Sequence, residues 1–525
     1  MNTKQKIAQY ASMVIIATIV SRVLGLFREI VISNYFGASV ETDAFFVAFM
    51  IPNLLRSLLG EGGLNSAFIP IFTEYLTKFN KKRAEYLASN VMNILIIVLI
   101  IIIVIGIWTA PLLIKIIALG FKNNPYKFEL AVNLTRTIFP YIGLVAIASL
   151  FMSILNSYEN FFIPALSPGM LNLAIIFIVF LFSKNYGIYS LALGVILGGI
   201  GQGIIQIPQL LKNKFEYKLI IDFKEEGLFR IFNLLLPVIL GLGITQINVV
   251  VDRTIASTLI DGSISALYYA NRLVQFPLGA FGIAISTAVF PTLSKFASND
   301  NLTDYKNSFL FSMRLLLYTT IPSTFGLIVL RNDIIRFIYE HGLFDERATI
   351  MTANALLYYS LGLFAYAGVK LITMAFYALK DSKSPVKIGI IVVIINIILD
   401  LIFVRSLAHS GLALATSISA VINVIILLKY LKLKIGDLQI KENSYFIIKT
   451  ILASTLMAIS CNFIKNILKN VLDLNVKINQ GLEILILIII SGIIFIIFSY
   501  LLNISEIKGL KKHLNEILRG KNSNV

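Results

Sequence analysis

Residues 94–114 read ILIIVLIIIIVIGIWTAPLLI, a run that contains no charged side chain. A helix needs about 20 mostly apolar residues to cross the hydrocarbon core of a bilayer, so this run predicts a membrane span. Similar runs along the chain predict an all-α polytopic membrane protein with fourteen transmembrane helices. The approximate limits of these segments are 11–35, 42–60, 89–119, 130–156, 164–182, 187–211, 229–258, 264–292, 307–330, 350–379, 386–404, 410–431, 444–468 and 481–502.

The composition of the whole chain fits this class. Hydrophobic residues make up 57% and charged residues 14% of the 525 residues, and the mean hydropathy is +0.85. A soluble protein would carry about 25% charged residues. The net charge of +17 is interpreted as membrane topology, with no nucleic-acid partner, because the lysines cluster in particular loops. The single cysteine, Cys461, excludes an intramolecular disulfide framework.

The positively charged loops predict the orientation of the chain. Basic residues follow alternate segments, whereas the loops after the first and seventh segments contain none. Cytoplasmic loops carry an excess of Lys and Arg, so both termini are expected in the cytoplasm. The apolar N-terminal stretch lacks a convincing cleavage site and is expected to remain as the first helix. The basic loop residues are Lys78, Lys81, Lys82 and Arg83; Lys212, Lys214, Lys218 and Lys224; Lys380, Lys383 and Lys387; and Lys429, Lys432 and Lys434.

The two halves of the chain share landmarks at a nearly constant spacing. The pairs are Arg28 and Arg253, Gly37 and Gly262, AFIP at 67–70 and AVFP at 288–291, Gly143 and Gly362, Pro164 and Pro385, and Gly187 and Gly411. Their common order predicts two six-helix lobes related by a pseudo-two-fold axis along the membrane normal, with the substrate between them. The expected divisions are 1–222 for the N-terminal lobe, 223–436 for the C-terminal lobe, and 437–525 for two additional helices and a basic cytoplasmic tail.

Four arginines lie within or beside apolar segments: Arg22, Arg28, Arg56 and Arg272. An arginine at the bilayer centre costs about 2.5–3.5 kcal/mol on insertion scales, so such residues usually face an interior cavity and mark function. Several positive charges in one cavity predict an anionic cargo, and the guanidinium fork suits phosphate or diphosphate oxygens. The alternative is that the arginines pair with carboxylates, of which Glu29, Asp43 and Glu61 are available, or extend to the interface.

A second group of residues has the opposite charge. Asp252 lies in the seventh segment, Asn396 and Asp400 lie one helical turn apart in the eleventh, and Thr416 lies in the twelfth. Carboxylate, amide and hydroxyl oxygens inside a membrane suit a hard cation or a proton, and these four residues form a candidate sodium site. The alternative is that Asp252 pairs with Arg253 and that Asp400 lies at a helix end.

Other motifs do not predict chemistry. The glycines of residues 194–203 have the spacing of close helix packing, and the chain contains no Walker sequence. It also shows no nucleophile–base pair, so we do not expect an enzyme or an organic cofactor. A sodium ion is the one candidate bound ion.

Several of these motifs together resemble the MurJ (MviN) lipid II flippase family, within the multidrug/oligosaccharidyl-lipid/polysaccharide exporter superfamily. The resemblance covers essentially the whole chain. The motifs are SRVLGLFRE at 21–29, FG at 36–37, TDAFFVAF at 42–49, PNLLR at 52–56, EG at 61–62, AFIP at 67–70 and YYANR at 268–272.

The resemblance implies a flippase that moves lipid II, the undecaprenyl-diphosphate-linked peptidoglycan precursor, from the cytoplasmic to the outer leaflet of the bacterial inner membrane. It implies that the four arginines line the cavity, that Asp252, Asn396, Asp400 and Thr416 match a sodium site of some members, and that the protein works as a monomer among membrane lipids. It also marks further functionally sensitive positions: Asp43, Asn53, Glu61 and Ser265. We expect alternating access, driven by membrane potential and by a cation gradient.

Three alternatives stay open at this point. The nearest is a flippase for another polyprenyl-diphosphate-linked glycan, whose cavity would have the same charge. A multidrug antiporter is disfavoured, because cationic drugs require an acidic cavity. A cell-wall scaffold would not need four arginines in the membrane and should tolerate their replacement.

Overall fold

The structure is a computed structural model that describes residues 3–56, 63–438, 440–473, 476–504 and 506. These residues form helices and connecting segments, without a β-strand among them, which confirms the predicted all-α class. The described residues form two compact units. The first comprises residues 1–265 and 341–345, and the second comprises residues 266–340 and 346–525. The boundaries of these units differ from those of the lobes predicted from the repeat, 1–222 and 223–436, which stay a prediction.

The first unit contains ten α-helices along its described residues. They are α1 (Thr3–Phe36), α2 (Val40–Arg56), α3 (Asn65–Lys78), α4 (Lys81–Ile117), α5 (Pro125–Ile138), α6 (Tyr141–Ser157), α7 (Phe162–Tyr186), α8 (Tyr189–Ile204), α9 (Ile207–Lys212) and α10 (Glu226–Ala256). A short 3-10 helix, Leu119–Asn123, joins α4 to α5.

The second unit continues the chain from Ala266. Its helices are α11 (Ser263–Pro277, which begins in the first unit), α12 (Ala284–Ser298), α13 (Leu302–Tyr339), α14 (Glu346–Leu361), α15 (Leu363–Ala378), α16 (Lys383–Leu407), α17 (His409–Ile435), α18 (Ile440–Val471) and α19 (Lys477–Leu501). A π-helix, Leu278–Ile283, joins α11 to α12.

Local sequence explains where several helices begin. Asn80, Asn124 and Asn301 each precede a helix and accept a hydrogen bond from the backbone N–H three residues later. This contact satisfies one of the backbone donors that the first turn of a helix leaves open. Pro125 adds a fixed φ at the first position of α5.

Two helices at corresponding places in the predicted repeat have the same length and a constant spacing. Helix α7 (Phe162–Tyr186) and helix α16 (Lys383–Leu407) each have 25 residues, and both ends are shifted by 221 positions. Each ends at a residue with nearly the same left-handed backbone, Gly187 at φ 51° and Ala408 at φ 49°. The backbone equivalent of Gly187 is therefore Ala408, whereas the sequence had paired it with Gly411.

Every one of the fourteen predicted segments overlaps a helix or a pair of consecutive helices. Among the described residues, ten helical segments are long and apolar enough to cross a membrane, or eleven when the bent pair of α14 and α15 counts as one. Helices α1, α2 and α10 are outside that set, so the count of fourteen spans stays a prediction. The multi-pass membrane architecture itself is confirmed.

Each unit has its own apolar core where repeat-related helices pack. In the first unit, α3, α4 and α6 bury Phe68, Phe72 and Leu150. In the second, α12, α13 and α15 bury Leu293 and Phe309, among others. Burial of a large apolar side chain contributes about 1.5–3 kcal/mol, so these clusters fix the helices that carry the polar residues described next.

Candidate functional site

Asp43, in the first turn of α2, is a buried carboxylate whose side chain is 1% exposed and whose two oxygens both accept hydrogen bonds. Its Oδ1 accepts hydrogen bonds from the Ser265 backbone N–H at 2.9 Å and from the Ser265 hydroxyl at 2.7 Å. Its Oδ2 accepts from the Gly262 N–H at 2.8 Å. Asp43 therefore caps the start of α11 from a different helix, and the predicted residues Asp43 and Ser265 lie in direct contact.

A lysine that the sequence did not single out completes this centre. Lys127 Nζ lies 2.8 Å from Asp43 Oδ2 and 2.8 Å from Asp261 Oδ1, and its side chain is 4% exposed. The ammonium also lies 4.6 Å from the centroid of the Phe121 ring. Buried charges of this kind are tolerated only when they are paired, and Lys127 pairs with both carboxylates.

Two glycines let the backbone approach this centre. Gly37 and Gly262 have φ of +63° and +90°, which side chains other than glycine rarely adopt. A Cβ on Gly262 would lie 2.6 Å from the Ala38 carbonyl oxygen, and a Cβ on Gly37 would lie 2.3 Å from that of Leu343. The repeat had paired these two glycines, and the structure shows that each is required by a close contact.

Arg28 is buried in α1 and is 7% exposed. Its Nη1 donates to Asn172 Oδ1 of α7 at 3.0 Å, and its Nη2 is paired with Glu29. Asn172 in turn donates through Nδ2 to the Ser21 carbonyl at 3.0 Å. The carboxylate partner considered in the sequence is thus present for Arg28, and Asn172 orients the guanidinium.

Arg56 ends α2 and borders a small cavity of about 50 Å³. Its Nε donates to Asn53 Oδ1 at 3.1 Å, which brings two predicted residues together. The cavity wall is formed by Arg56, Val145, Ala148, Ser149, Met152, Ser167, Pro168, Leu171 and Gln202. Leu171 directly precedes Asn172, so Arg28 and Arg56 both lie beside residues 167–172 of α7. Glu61 lies outside the described residues.

The remaining two arginines are exposed. Arg22 lies on α1, six residues before Arg28. Arg272 lies on α11, where its Nη2 donates to the Tyr268 hydroxyl at 2.9 Å and its guanidinium carbon lies 5.0 Å from the centroid of that ring. Arg272 belongs to the second unit, so the convergence of all four arginines stays a prediction.

The acidic group is divided in the same way. Asn396 and Asp400 of α16 are 1% and 0% exposed, and α16 packs on α17, where Thr416 Oγ1 donates to the Leu412 carbonyl at 2.9 Å. Within the part of the chain that the structure describes, the Asn396 amide has no hydrogen-bond partner. Buried amide and carboxylate oxygens fit a hard cation. Asp252 is half-buried on α10 of the first unit.

A family model described as the lipid II flippase MurJ matches residues 32–482. A probable lipid II flippase MurJ from Buchnera aphidicola (subsp. Acyrthosiphon pisum) is 36% identical over 93% of this chain and 96% of its own length. A lipid II flippase MurJ from Burkholderia cenocepacia is 33% identical over 78% of this chain and 81% of its own length.

Solved structures give the same result for the fold. A structure of lipid II flippase MurJ in an inward closed conformation matches with a TM-score of 0.78 at 33% identity, over 93% of this chain and 98% of the other. An inward-facing multidrug resistance MATE family transporter of the MOP superfamily matches with a TM-score of 0.67. It is 15% identical over 80% of this chain and 95% of its own, so that likeness concerns the fold alone.

Proposed function

The chain belongs to the MurJ family of lipid II flippases, and from that premise we propose that it moves lipid II from the cytoplasmic to the outer leaflet by alternating access. The cargo is an undecaprenyl-diphosphate that carries the disaccharide peptide of peptidoglycan. The protein acts as a transporter and leaves the cargo chemically unchanged. It works as a monomer in the bacterial inner membrane, with both termini in the cytoplasm.

The observation that carries the proposal is the placement of Arg28 and Arg56 along one stretch of α7. Arg28 is held there by Asn172, and Arg56 borders the cavity lined by Leu171. A planar guanidinium binds phosphate oxygens bidentately, which suits a diphosphate. Because Arg28 also has a carboxylate partner, Glu29, an incoming diphosphate would exchange with that carboxylate at the same guanidinium.

The other predicted residues divide between cargo and structure. We assign the exposed Arg22 and Arg272, together with Asn53 and Glu61, to the diphosphate and the sugar head. Asp43 and Ser265 instead hold the turn before α11, because their side chains are satisfied by each other and by the backbone. Substitution of Asp43 or Ser265 would then impair translocation by changing the conformation of the transporter, and not by removing a contact with the cargo.

Membrane potential supplies a driving force with the correct sign. An inside-negative potential favours outward movement of negative charge by about 2.3 kcal/mol per charge per 100 mV. A diphosphate that remains partly unneutralised by the arginines would therefore be pushed outward. The potential opposes the return of any carrier state with excess negative charge.

We assign a sodium ion to Asp252, Asn396, Asp400 and Thr416 as the ion that would help to reset the carrier. Support comes from the buried amide of Asn396 and the fully buried Asp400, which lie one turn apart on α16. Their oxygens would replace part of the hydration shell of a hard cation. When bound, the ion would supply a positive charge that offsets the buried carboxylate.

Lipid II translocation in proteoliposomes tests the assignment, with an imposed potential and a sodium gradient varied separately. Replacing Arg28 or Arg56 by Ala should abolish translocation. Arg136→Ala is the matched control: it removes the same positive charge at an exposed position of α5, and the variant should retain translocation. Full activity of both cavity variants would overturn the arginine assignment. Equal activity toward a polyprenyl diphosphate with a different glycan would favour the broader flippase alternative.

A further inference from the structure

The segment between α9 and α10, residues 213–225, lies against one face of α4, and we call it the strap. Asn93 Nδ2 donates to the carbonyls of Lys218 and Ile220 at 3.0 and 2.8 Å. Asn90 makes a reciprocal pair with the backbone of Asp222, at 2.7 Å in both directions. The strap is therefore fixed to α4 through its backbone.

The hydrogen bonds place the strap at one end of a membrane span. Its side-chain partners on α4 lie between Lys81 and Asn93, directly before the uncharged run 94–114. That run is roughly 30 Å long at 1.5 Å per residue, which matches the hydrocarbon thickness of a bilayer. The strap thus lies along the stretch of α4 that precedes the hydrocarbon core, at the level of the lipid headgroups, and Lys218 and Ile220 are bonded to Asn93, next to the apolar run.

Two kinds of residue alternate along the strap. Lys218, Ile220 and Asp222 form backbone hydrogen bonds with α4, and the residues that follow each of them carry exposed apolar side chains. Leu219 is 84% exposed, Ile221 is 51% exposed and Phe223 is 65% exposed. Tyr217 begins the same series and donates its hydroxyl to Asn93 Oδ1 at 2.5 Å. Exposed apolar side chains in a row are unusual on a water-exposed loop, because each forfeits its burial energy.

Basic residues surround this apolar row, and most of its acidic residues are already occupied. Asp222 accepts from the Tyr86 hydroxyl at 3.1 Å, and Glu225 accepts from Arg83 at 2.6 Å. Glu216 and, at the start of α10, Glu226 are exposed, and the surrounding lysines outnumber these two acidic residues. The surrounding lysines are Lys81, Lys82, Lys212, Lys214, Lys218 and Lys224. Lys81 joins α4 to the strap by donating to the carbonyls of Asn213 and Lys214 at 2.7 and 2.9 Å.

We propose that the strap is an interfacial membrane anchor that binds anionic phospholipid of the adjacent leaflet. Leu219, Ile221 and Phe223 enter the boundary between headgroups and acyl chains, while the lysines contact lipid phosphates. Apolar side chains beside a basic polar face are the composition of segments that lie in the membrane plane, and basic residues near the surface are attracted by anionic lipids. Continuity with the span of α4 favours lipid over a soluble protein as the occupant. This inference does not depend on the cargo.

Tryptophan fluorescence can measure the depth of the strap in the full-length protein. Trp108 is the only tryptophan in the chain, so Trp108→Phe provides a silent background. In that background, Leu219→Trp or Phe223→Trp is expected to be quenched more by lipid brominated near the headgroup end of its acyl chains than by lipid brominated near the chain ends. Both tryptophans should resist quenching by aqueous iodide. Strong quenching by iodide and no quenching by brominated lipid, in both anionic and neutral vesicles, would place the strap in water. That result would overturn the proposal of a membrane anchor.

A second comparison tests the charge of the lipid. One mixture contains brominated phosphatidylglycerol in unbrominated phosphatidylcholine, and the other contains brominated phosphatidylcholine in unbrominated phosphatidylglycerol, at equal bromine content. The first should quench the tryptophan of the Leu219→Trp variant at least about twofold more than the second. Replacing Lys212, Lys214, Lys218 and Lys224 together by Gln should bring the ratio close to one, and replacing them by Arg should preserve it. Equal quenching by the two mixtures in the unmodified strap would contradict anionic-lipid binding. Thermal unfolding of each variant identifies any that fail to fold.

Discussion

Lys127 Nζ lies 2.8 Å from Asp43 Oδ2 in a centre where both side chains are at least 95% buried. Asp43 uses its remaining acceptor capacity on Gly262 and Ser265, at the turn that begins α11. One ion pair thus connects α2, α5 and the α10–α11 turn. The charge of Lys127 is needed there because Asp43 would otherwise be a buried anion held only by neutral donors.

Replacing Lys127 by Met should therefore lower the free energy of unfolding by about 3–5 kcal/mol, because it leaves buried Asp43 without its cation. Thermal unfolding in detergent measures the change. Lys122→Met on the adjacent 3-10 helix is the matched control, since Lys122 is exposed and its loss should have little effect. Asp43→Asn combined with Lys127→Met should recover part of the lost stability. Additive losses in the double variant would contradict the pairing.

Sequence alone could predict much of the fold, because its signals are local. A run of apolar residues such as 94–114 specifies a span by itself, and left-handed turns tend to carry glycine, as at Gly37 and Gly262. The landmark at Gly187 shows the limit of this reasoning. Its partner in the repeat has the same backbone but is Ala408, so a search for glycine selected Gly411 instead.

The contacts that build the candidate site could not be predicted in the same way. Lys127 meets Asp43 across 84 positions of sequence, and Asn172 meets Arg28 across 144. A lysine in the first turn after Asn124 and Pro125 looks like an ordinary interfacial residue, because local sequence does not specify its distant partner. Asn172 in an apolar helix was the one available signal, since a buried amide requires a hydrogen-bond partner.

Glycine at 262 should be more sensitive to substitution than glycine at 187. Both have positive φ, but a Cβ at Gly262 would meet the Ala38 carbonyl oxygen at 2.6 Å, whereas a Cβ at Gly187 meets nothing within 4 Å. Gly187→Ala is expected to cost about 1 kcal/mol of backbone strain, and Gly262→Ala distinctly more. Unfolding temperatures of the two variants make the comparison. Equal losses would show that the close approach at Gly262 relaxes without cost.

Asn172→Ala should reduce lipid II translocation while leaving most of the protein folded. The change removes the hydrogen bond that orients the Arg28 guanidinium, and a lost bond to a buried charged group costs about 1–3 kcal/mol. Initial rates in proteoliposomes should therefore fall by roughly 5- to 160-fold. Asn185→Ala, at an exposed position of the same helix, should retain the rate. Unchanged translocation by the Asn172 variant would show that Arg28 does not need this contact.

The loop before α16 should make stability sensitive to acid. Burial acts to raise the pKa of Asp381, but hydrogen bonds from Ser384 and the contact with Lys434 outweigh it and lower the pKa to about 2. The unfolded value is about 3.9, so the stabilisation is complete above that pH and is lost as the pH falls from about 4 towards 2. Asp381→Asn should reduce the dependence of the unfolding temperature on pH in this range. Asp437→Asn, in an exposed pair with Lys432, is the control. A slope that persists in the Asp381 variant would assign the acid sensitivity to another group.

Sodium should raise the unfolding temperature of the purified protein if Asn396 and Asp400 bind it. A ligand that binds only the folded state stabilises it by about 2.7 kcal/mol at a concentration one hundred times its dissociation constant. Replacing potassium by sodium at constant ionic strength should show this rise, and Asp400→Asn or Asp252→Asn should remove it. Ser406→Ala, at the exposed end of α16, should leave it intact. The alternative ligand is a proton, since carboxylates inside a membrane also serve proton relays. In that case the unfolding temperature would be the same in both salts, and the sodium assignment would be wrong.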